Sequence, residues 1–365
     1  MTPTLRLCLV DMNNGHANQA SRCFAVLVDD FFAKVKARNP HIECEFSKVE
    51  PRNKDELPSN SCDFYLSSGG PGGPFDHDGD PWLAKYRSWV DHVVDENLKN
   101  GRGTPSRSLF GVCYSFEVLV RHFAVATMQE RARRRFGVMP VYTTSEGMSH
   151  PLTGVFADRL FAFEQRSWEA VGLDERVLRD LGGKLLAQES RDGKSKGQGL
   201  LAFDFAPGVE GTIFHPEADK PGVVAWLSRR DQAEAFIDAY GAVTYERMIM
   251  TLDNPRRLAK TFTQMLPGWL VRKFNMLAED RGWRLLEMPT VDLQLFSGDA
   301  PPAATVAYPS LLPPPSGPEG KSGSVPRIAL KRLDFDDTDM PLDPYMHRPL
   351  DEKIDPAVSD ESQGL

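Results

Sequence analysis

Three short segments bring together residue types suited to nucleophilic acyl chemistry. In FGVCYSF, residues 110–116, an apolar strand-like run is followed at once by Cys113 and a helical pattern. A tight strand-to-helix turn of this kind lifts a side chain above a sheet while the next helix starts beneath it. N–H groups at the helix start favour a thiolate and can stabilise an oxyanion. Taken alone, the segment suits a buried apolar cysteine equally well. In GTIFHPEAD, residues 211–219, a strand ends at His215 with Glu217 two residues on. That pair can act as base and orienter in a Cys-His-Glu triad, with Pro216 holding the chain extended. A surface histidine in a turn is the plainer alternative. In LSSGGPGGPFD, residues 66–76, a glycine-rich loop directly follows a strand. Its glycines let backbone N–H groups approach a ligand, although ordinary strand-to-helix turns share this composition.

The elements that must position these residues alternate along the chain. Strand patterns cover 5–12, 41–49, 62–68 and 108–112, and helical patterns cover 18–38, 81–99 and 114–126. This βαβ rhythm predicts a parallel sheet with helices on both faces. From 137 to 215 shorter strands follow, broken by turns such as Gly182-Gly183, as the second half of the same domain with a mixed or antiparallel edge. After 220 the pattern becomes helical, with Met and aromatic positions suited to core or subunit contact. The expected fold is therefore α/β, an open, mostly parallel sheet flanked by helices over residues 1–220. A helical extension over 221–297 would serve as lid, homodimer contact or partner surface. Twelve prolines fall in the last 65 residues, so the tail over 298–365 is expected to be disordered.

Composition narrows the function classes. A net charge of -8 across 365 residues argues against a nucleic-acid partner, which needs a basic face. The densest basic cluster, ERARRRFG at 130–137, fits a solvated helix end. No apolar run is long enough for a membrane span, and the N-terminal apolar stretch is too short for a signal peptide. Five dispersed cysteines without a CxxC pair indicate neither a zinc site nor a disulfide framework. A reduced, cytoplasmic enzyme is expected, without cofactor or metal. The acidic stretch FDHDGDP at 75–81 reads as a solvated loop rather than a metal site.

The three segments, in their order along the chain, resemble class I glutamine amidotransferases. GVCYSFEVL is similar to the GVCYGMQ segment of the amidotransferase domain of GMP synthases, and SSGGPGGPFD to the SGGPxSxYD loop. Weaker echoes run through RRFGVMPVYTT, KLLAQES and QGLLAFDF, so the resemblance spans roughly residues 5–220. It implies that Cys113 attacks a glutamine carboxamide, forming a thioester and releasing ammonia. His215 would shuttle the proton and Glu217 would orient the imidazole. The N–H groups of Gly70 and Tyr114 would form the oxyanion hole, and Gly72 would line the substrate pocket. Implied partners are glutamine or a related amide and a separate synthetase or acceptor enzyme for the ammonia.

Two positions depart from the pattern. Ser115 stands where the family carries glycine, so either the turn relaxes or the hydroxyl finds a local acceptor. Glu117 stands where the family's glutamine contacts the amino-acid end of the substrate. Its negative charge would penalise an α-carboxylate by several kcal/mol in a dry pocket, favouring a cationic or neutral group. Two rival readings follow: a triad enzyme acting on another amide or γ-glutamyl substrate, and a non-catalytic ligand- or protein-binding member. The chain has neither a GxxxxGK[ST] loop nor an SGGxDS motif, so no ATP-dependent synthetase is visible in it.

Overall fold

In the computed structural model the described residues are 2–16, 19–99, 105–191, 199–252, 254 and 256–290. The proline-rich tail therefore lies outside the described residues. The first part of the chain alternates β1 (Thr4–Val10), α1 (Gln19–Arg38), β2 (Glu43–Val49), the short α2 (Pro51–Lys54), β3 (Phe64–Ser67), α3 (Pro81–Lys99), β4 (Ser108–Val112) and α4 (Tyr114–Phe123). Then come β5 (Thr127–Thr143), α5 (Ser145–Ser149), β6 (Arg159–Val171), α6 (Glu175–Asp180), β7 (Lys184–Gln188), β8 (Leu200–Ala206) and β9 (Val209–Thr212). Four helices follow: α7 (Lys220–Leu227), α8 (Arg230–Tyr240), α9 (Ala242–Thr251) and α10 (Leu258–Arg281).

The strands form one sheet in the order β2-β1-β3-β4-β9-β8-β6-β5-β7. The expectation of an open, mostly parallel sheet holds for only half of it. Strands β2, β1, β3, β4 and β9 are parallel, whereas every pairing among β5 to β8, and β8 with β9, is antiparallel. Strand β7 also pairs back with β8, so β5 to β8 close into a small barrel. Between β8 and β9 the connection is the two-residue turn Pro207-Gly208, which can join only antiparallel neighbours. The basic cluster also differs from expectation. Residues 130–137 lie in β5, not at a helix end. Cross-strand carboxylates explain it: Arg131 pairs with Glu169 and Glu189, and the buried Arg135 with Glu164.

Strand alternation sorts the aromatic residues between the two faces of the parallel half. Phe64 points towards α1 and α10, packing on Phe31 and Trp269, and Phe110 also packs on Trp269. Tyr65, the next residue, turns to the other face and meets Trp89 of α3. On that second face Phe116 of α4 packs on Phe203 and Phe205 of β8. No helix of the described residues is long and apolar enough to cross a membrane.

A buried ion cluster ties α10 to the sheet. Glu210 of β9 accepts from Trp269 Nε1 and pairs with Arg272 and Lys273, each at 2.8 Å. Burial alone would raise the Glu210 pKa, but the two cations outweigh it and bring it down to about 2. A carboxylate whose pKa is lower in the folded state stabilises the fold above its unfolded value and loses that contribution as pH falls. Acid titration of wild type should therefore lose about 3 kcal/mol between pH ~4.3 and ~2 through this group. In Glu210→Gln that acid-sensitive share disappears, while stability at neutral pH drops because the buried Lys273 and the part-buried Arg272 lose their partner. Urea unfolding at pH 7, 4 and 3 measures both effects.

Candidate active site

The three chemistry-bearing segments meet at the carboxyl ends of β3, β4 and β9, the edge at which open parallel sheets form their crevices. Pairing of β4 with β9 aligns Val112 with Thr212, and the Cys113 N–H donates to Thr212 O at 2.8 Å. Helix α4 begins at the next residue, and Glu117 N returns a bond to Cys113 O at 2.9 Å. To join strand and helix so abruptly, Cys113 takes φ 51° and ψ -110°. An L-residue with a Cβ is strained there. Gly111 permits the fold-back, since a Cβ on it would come within 2.6 Å of Leu119 Cδ1 in α4.

Ser115 takes the second of the two outcomes expected for it. Its hydroxyl, fully buried, donates to Ser68 O at 2.6 Å and lies 2.8 Å from Ser67 Oγ, which accepts from Tyr86 OH. The chain of donors therefore runs from Tyr86 through Ser67 and Ser115 to the Ser68 carbonyl. It fastens the Cys113 turn to the strand that carries the glycine loop.

His215 follows β9, with its N–H on Phe163 O of β6 at 2.8 Å. Its Nδ1 bonds Glu217 Oε1 at 2.7 Å, which leaves Nε2 for the hydrogen bond to the Cys113 thiol. Glu217 is buried, and among the described residues its second oxygen has no partner. Burial lowers the His215 pKa, but the negative charges of Glu217 and Cys113 outweigh that and hold it well above 6.5. The imidazole is thus kept as a proton donor beside the Cys113 sulfur.

The glycine loop closes over this pair. A Cβ at Gly69 would lie 3.1 Å from both Cys113 Cβ and His215 Cε1, so the loop leaves the space between them clear. At Gly70 a Cβ would approach Met12 O to 2.1 Å, which excludes any side chain. Among the described residues the N–H groups of Gly70 and Tyr114 donate to no protein acceptor. Gly72 sits further out, in an exposed turn with φ 95°, and its nearest neighbours are Asp76 and Arg52. Trp168 of β6 packs over Gly73 and against Phe75.

Glu117 lies one helical turn beyond Cys113, buried, and among the described residues its carboxyl makes no hydrogen bond. A negative charge was expected of it from sequence. Burial pushes its pKa up to about 8, against the opposing pull of Arg166 and His215 and with a small push from Asp76. At neutral pH the carboxyl is mostly protonated, offering one donor and one acceptor as an amide does.

Two arginines near the site carry no sequence motif. Arg166, in the middle of β6, is buried on Glu164 and Glu189, and its charge reaches Glu117. Arg52 of α2 reaches under the glycine loop to Pro71 O. A charge on the inward phase of an alternating strand was the available signal for Arg166; Arg52 offered none. No group of three or more His, Cys, Asp or Glu able to hold a metal occurs among the described residues. In the 75–81 loop, His77 bonds Asp80, Asp78 pairs with Arg121, and Asp76 accepts from Gly73 N.

The strain at Cys113 is testable through stability alone. Glycine relieves a positive φ that alanine retains, so Cys113→Gly should exceed Cys113→Ala in unfolding free energy by about 1–2 kcal/mol. Equal denaturation midpoints for the two variants would show an unstrained turn.

No family model and no curated protein matches the chain. Solved structures with some likeness include a glutamine amidotransferase from Thermotoga maritima, at 14% identity and TM-score 0.46, covering 75% of this chain and 97% of that one. A structure described as a GMP synthase subunit from Thermoplasma acidophilum has 18% identity and TM-score 0.39, covering 66% and 96%. The glutaminase domain of Trypanosoma brucei CTPS, with bound acivicin, has 15% identity and TM-score 0.41, covering 63% and 94%. These three solved structures are described as a glutamine amidotransferase, a GMP synthase subunit and a glutaminase domain.

Proposed function

We propose that the chain is a cysteine amidohydrolase of the class I glutamine amidotransferase kind, with Cys113, His215 and Glu217 as its triad. The observation that carries this reading is the strained Cys113 at a helix start, hydrogen-bonded to a histidine that a buried carboxylate holds by its other nitrogen. The choice of glutamine, or a closely related amide, rests on the motif resemblance around Cys113 and the glycine loop.

In this mechanism the Cys113 thiolate attacks the carboxamide carbon. The carbonyl oxygen takes up negative charge beside the N–H groups of Gly70 and Tyr114. His215 gives its proton to the nitrogen, the C–N bond breaks, and ammonia leaves a thioester on Cys113. Neutral His215 then takes a proton from water, whose oxygen attacks the thioester. The acid leaves, restoring thiolate and imidazolium. Glu217 stabilises the imidazolium and fixes its tautomer. The ammonia passes to a separate acceptor enzyme or to solvent.

The experiment is direct. Purified protein incubated with glutamine should release ammonia, and a glutamine-mimicking alkylator should leave one mass adduct on the Cys113 peptide. Both signals should vanish in Cys113→Ala. An alkylator that modifies other cysteines but spares Cys113 in the folded protein would refute the nucleophile. An adduct on Cys113 with no ammonia from glutamine would reject glutamine and favour another amide.

Glu117 gives the reading a pH signature. A neutral carboxyl can both donate to and accept from the substrate, whereas a carboxylate only accepts. Wild-type kcat/KM should therefore fall as pH rises through about 8, the value to which burial lifts Glu117. Glu117→Gln, neutral at every pH, should keep its activity across that range. Superimposable pH profiles for the two proteins would exclude a neutral Glu117 from substrate binding.

A further inference from the structure

Arg52 is tied to three segments that meet at the site. Its Nη1 donates to Met12 O beyond β1 and to Pro71 O in the glycine loop, both at 2.8 Å. Its Nη2 lies 2.6 Å from His77 Nε2. Because arginine only donates, that nitrogen accepts, and the neutral ring carries its proton on Nδ1, facing Asp80 at 2.7 Å. The guanidinium also stacks 4.3 Å from the centre of the Tyr114 ring. Gly70 is held between Met12 O and Arg52 Nη1, as a Cβ there would approach them to 2.1 and 2.8 Å. One side chain thus touches the loop that carries Gly70 N–H and the residue that carries Tyr114 N–H.

We propose that Arg52 is a positioning residue that fixes the Gly70 and Tyr114 N–H groups as a pair of oxyanion donors. The inference rests on Cys113 acting as the nucleophile. The two donors come from different segments, the glycine loop after β3 and the first residue of α4. Their spacing is set by whatever spans the gap, and a donor displaced by a fraction of an ångström loses much of its hold on a developing charge. Arginine suits the task where lysine does not. Its planar fork serves two carbonyls and an imidazole at once while its face stacks on tyrosine.

Two reactions of Cys113 separate this role from simple structural support. With p-nitrophenyl acetate, the sulfur attacks the acetyl carbon, an oxyanion forms, and p-nitrophenolate leaves as the thioester is made. With iodoacetamide, the sulfur displaces iodide from a methylene carbon and no oxyanion forms. Both rates are read by mass on the Cys113 peptide in the full chain. In Arg52→Met, acylation should fall by about tenfold or more while alkylation stays within about twofold of wild type. Arg52→Lys, which keeps the charge but not the fork or the stacking, should recover only part of the loss and serves if the Met variant fails to fold. An unchanged ratio of the two rates in both variants overturns the proposal, and so does an equal fall in both rates, which would mark Arg52 as structural support only. Wild-type Cys113 inert to both reagents would instead overturn the nucleophile itself, and the proposal with it.

Discussion

The pairing of β4 with β9 is the constraint on which the site depends. These strands lie about a hundred residues apart in sequence, yet their register puts Val112 beside Thr212 and delivers Cys113 and His215 to one edge. A slip of one residue would turn every side chain of β9 to the opposite face and carry Glu210 away from Arg272 and Lys273. The register is therefore held twice: by the buried cluster on one face and by the Cys113 N–H bond to Thr212 O at the edge. The first is electrostatic and the second is a single hydrogen bond, so the sheet interior carries most of the specification.

The buried hydroxyls beneath the cysteine are committed to one another. The Tyr86–Ser67–Ser115–Ser68 chain leaves each buried hydroxyl with an acceptor. Arg52 commits both of its terminal nitrogens. Against this background, the groups without protein partners are the informative ones. Among the described residues near Cys113 these are the Glu117 carboxyl, the N–H groups of Gly70 and Tyr114, the Tyr114 hydroxyl, Glu217 Oε2 and Arg52 Nε, a concentration of unpaired polar atoms that calls for an explanation.

Much of the first half of the chain was legible in sequence because βα repetition is a local signal. The elbow at Cys113, the strand end at His215 and the loop at Gly69–Gly70 each sit where the pattern of apolar runs and glycines puts them. Three features were not legible, for one reason. The strand character of residues 130–137 comes from Glu164, Glu169 and Glu189 across the sheet, which a local charge count cannot see. The neutral state of Glu117 comes from burial, and its residue type alone suggests a charge. The reach of Arg52 needs residues 12, 71, 77 and 114 in one place. The change to helices after residue 220 was visible as well, but not what those helices would cover.

What they cover bears on how the protein is made. Phe64 and Phe110, on central strands, share their contact with Trp269 of α10, and Phe31 of α1 leans on Phe274. During synthesis the strands emerge long before that helix does, at roughly 5–20 residues per second. For the time needed to make and release the segment up to α10, the part of this face beside α1 that Trp269 covers stays apolar and open. The carboxyl ends of these strands carry Cys113, but their apolar flank is covered only after they are made. The length of chain between Phe110 and Trp269 therefore sets how long that flank waits for its cover.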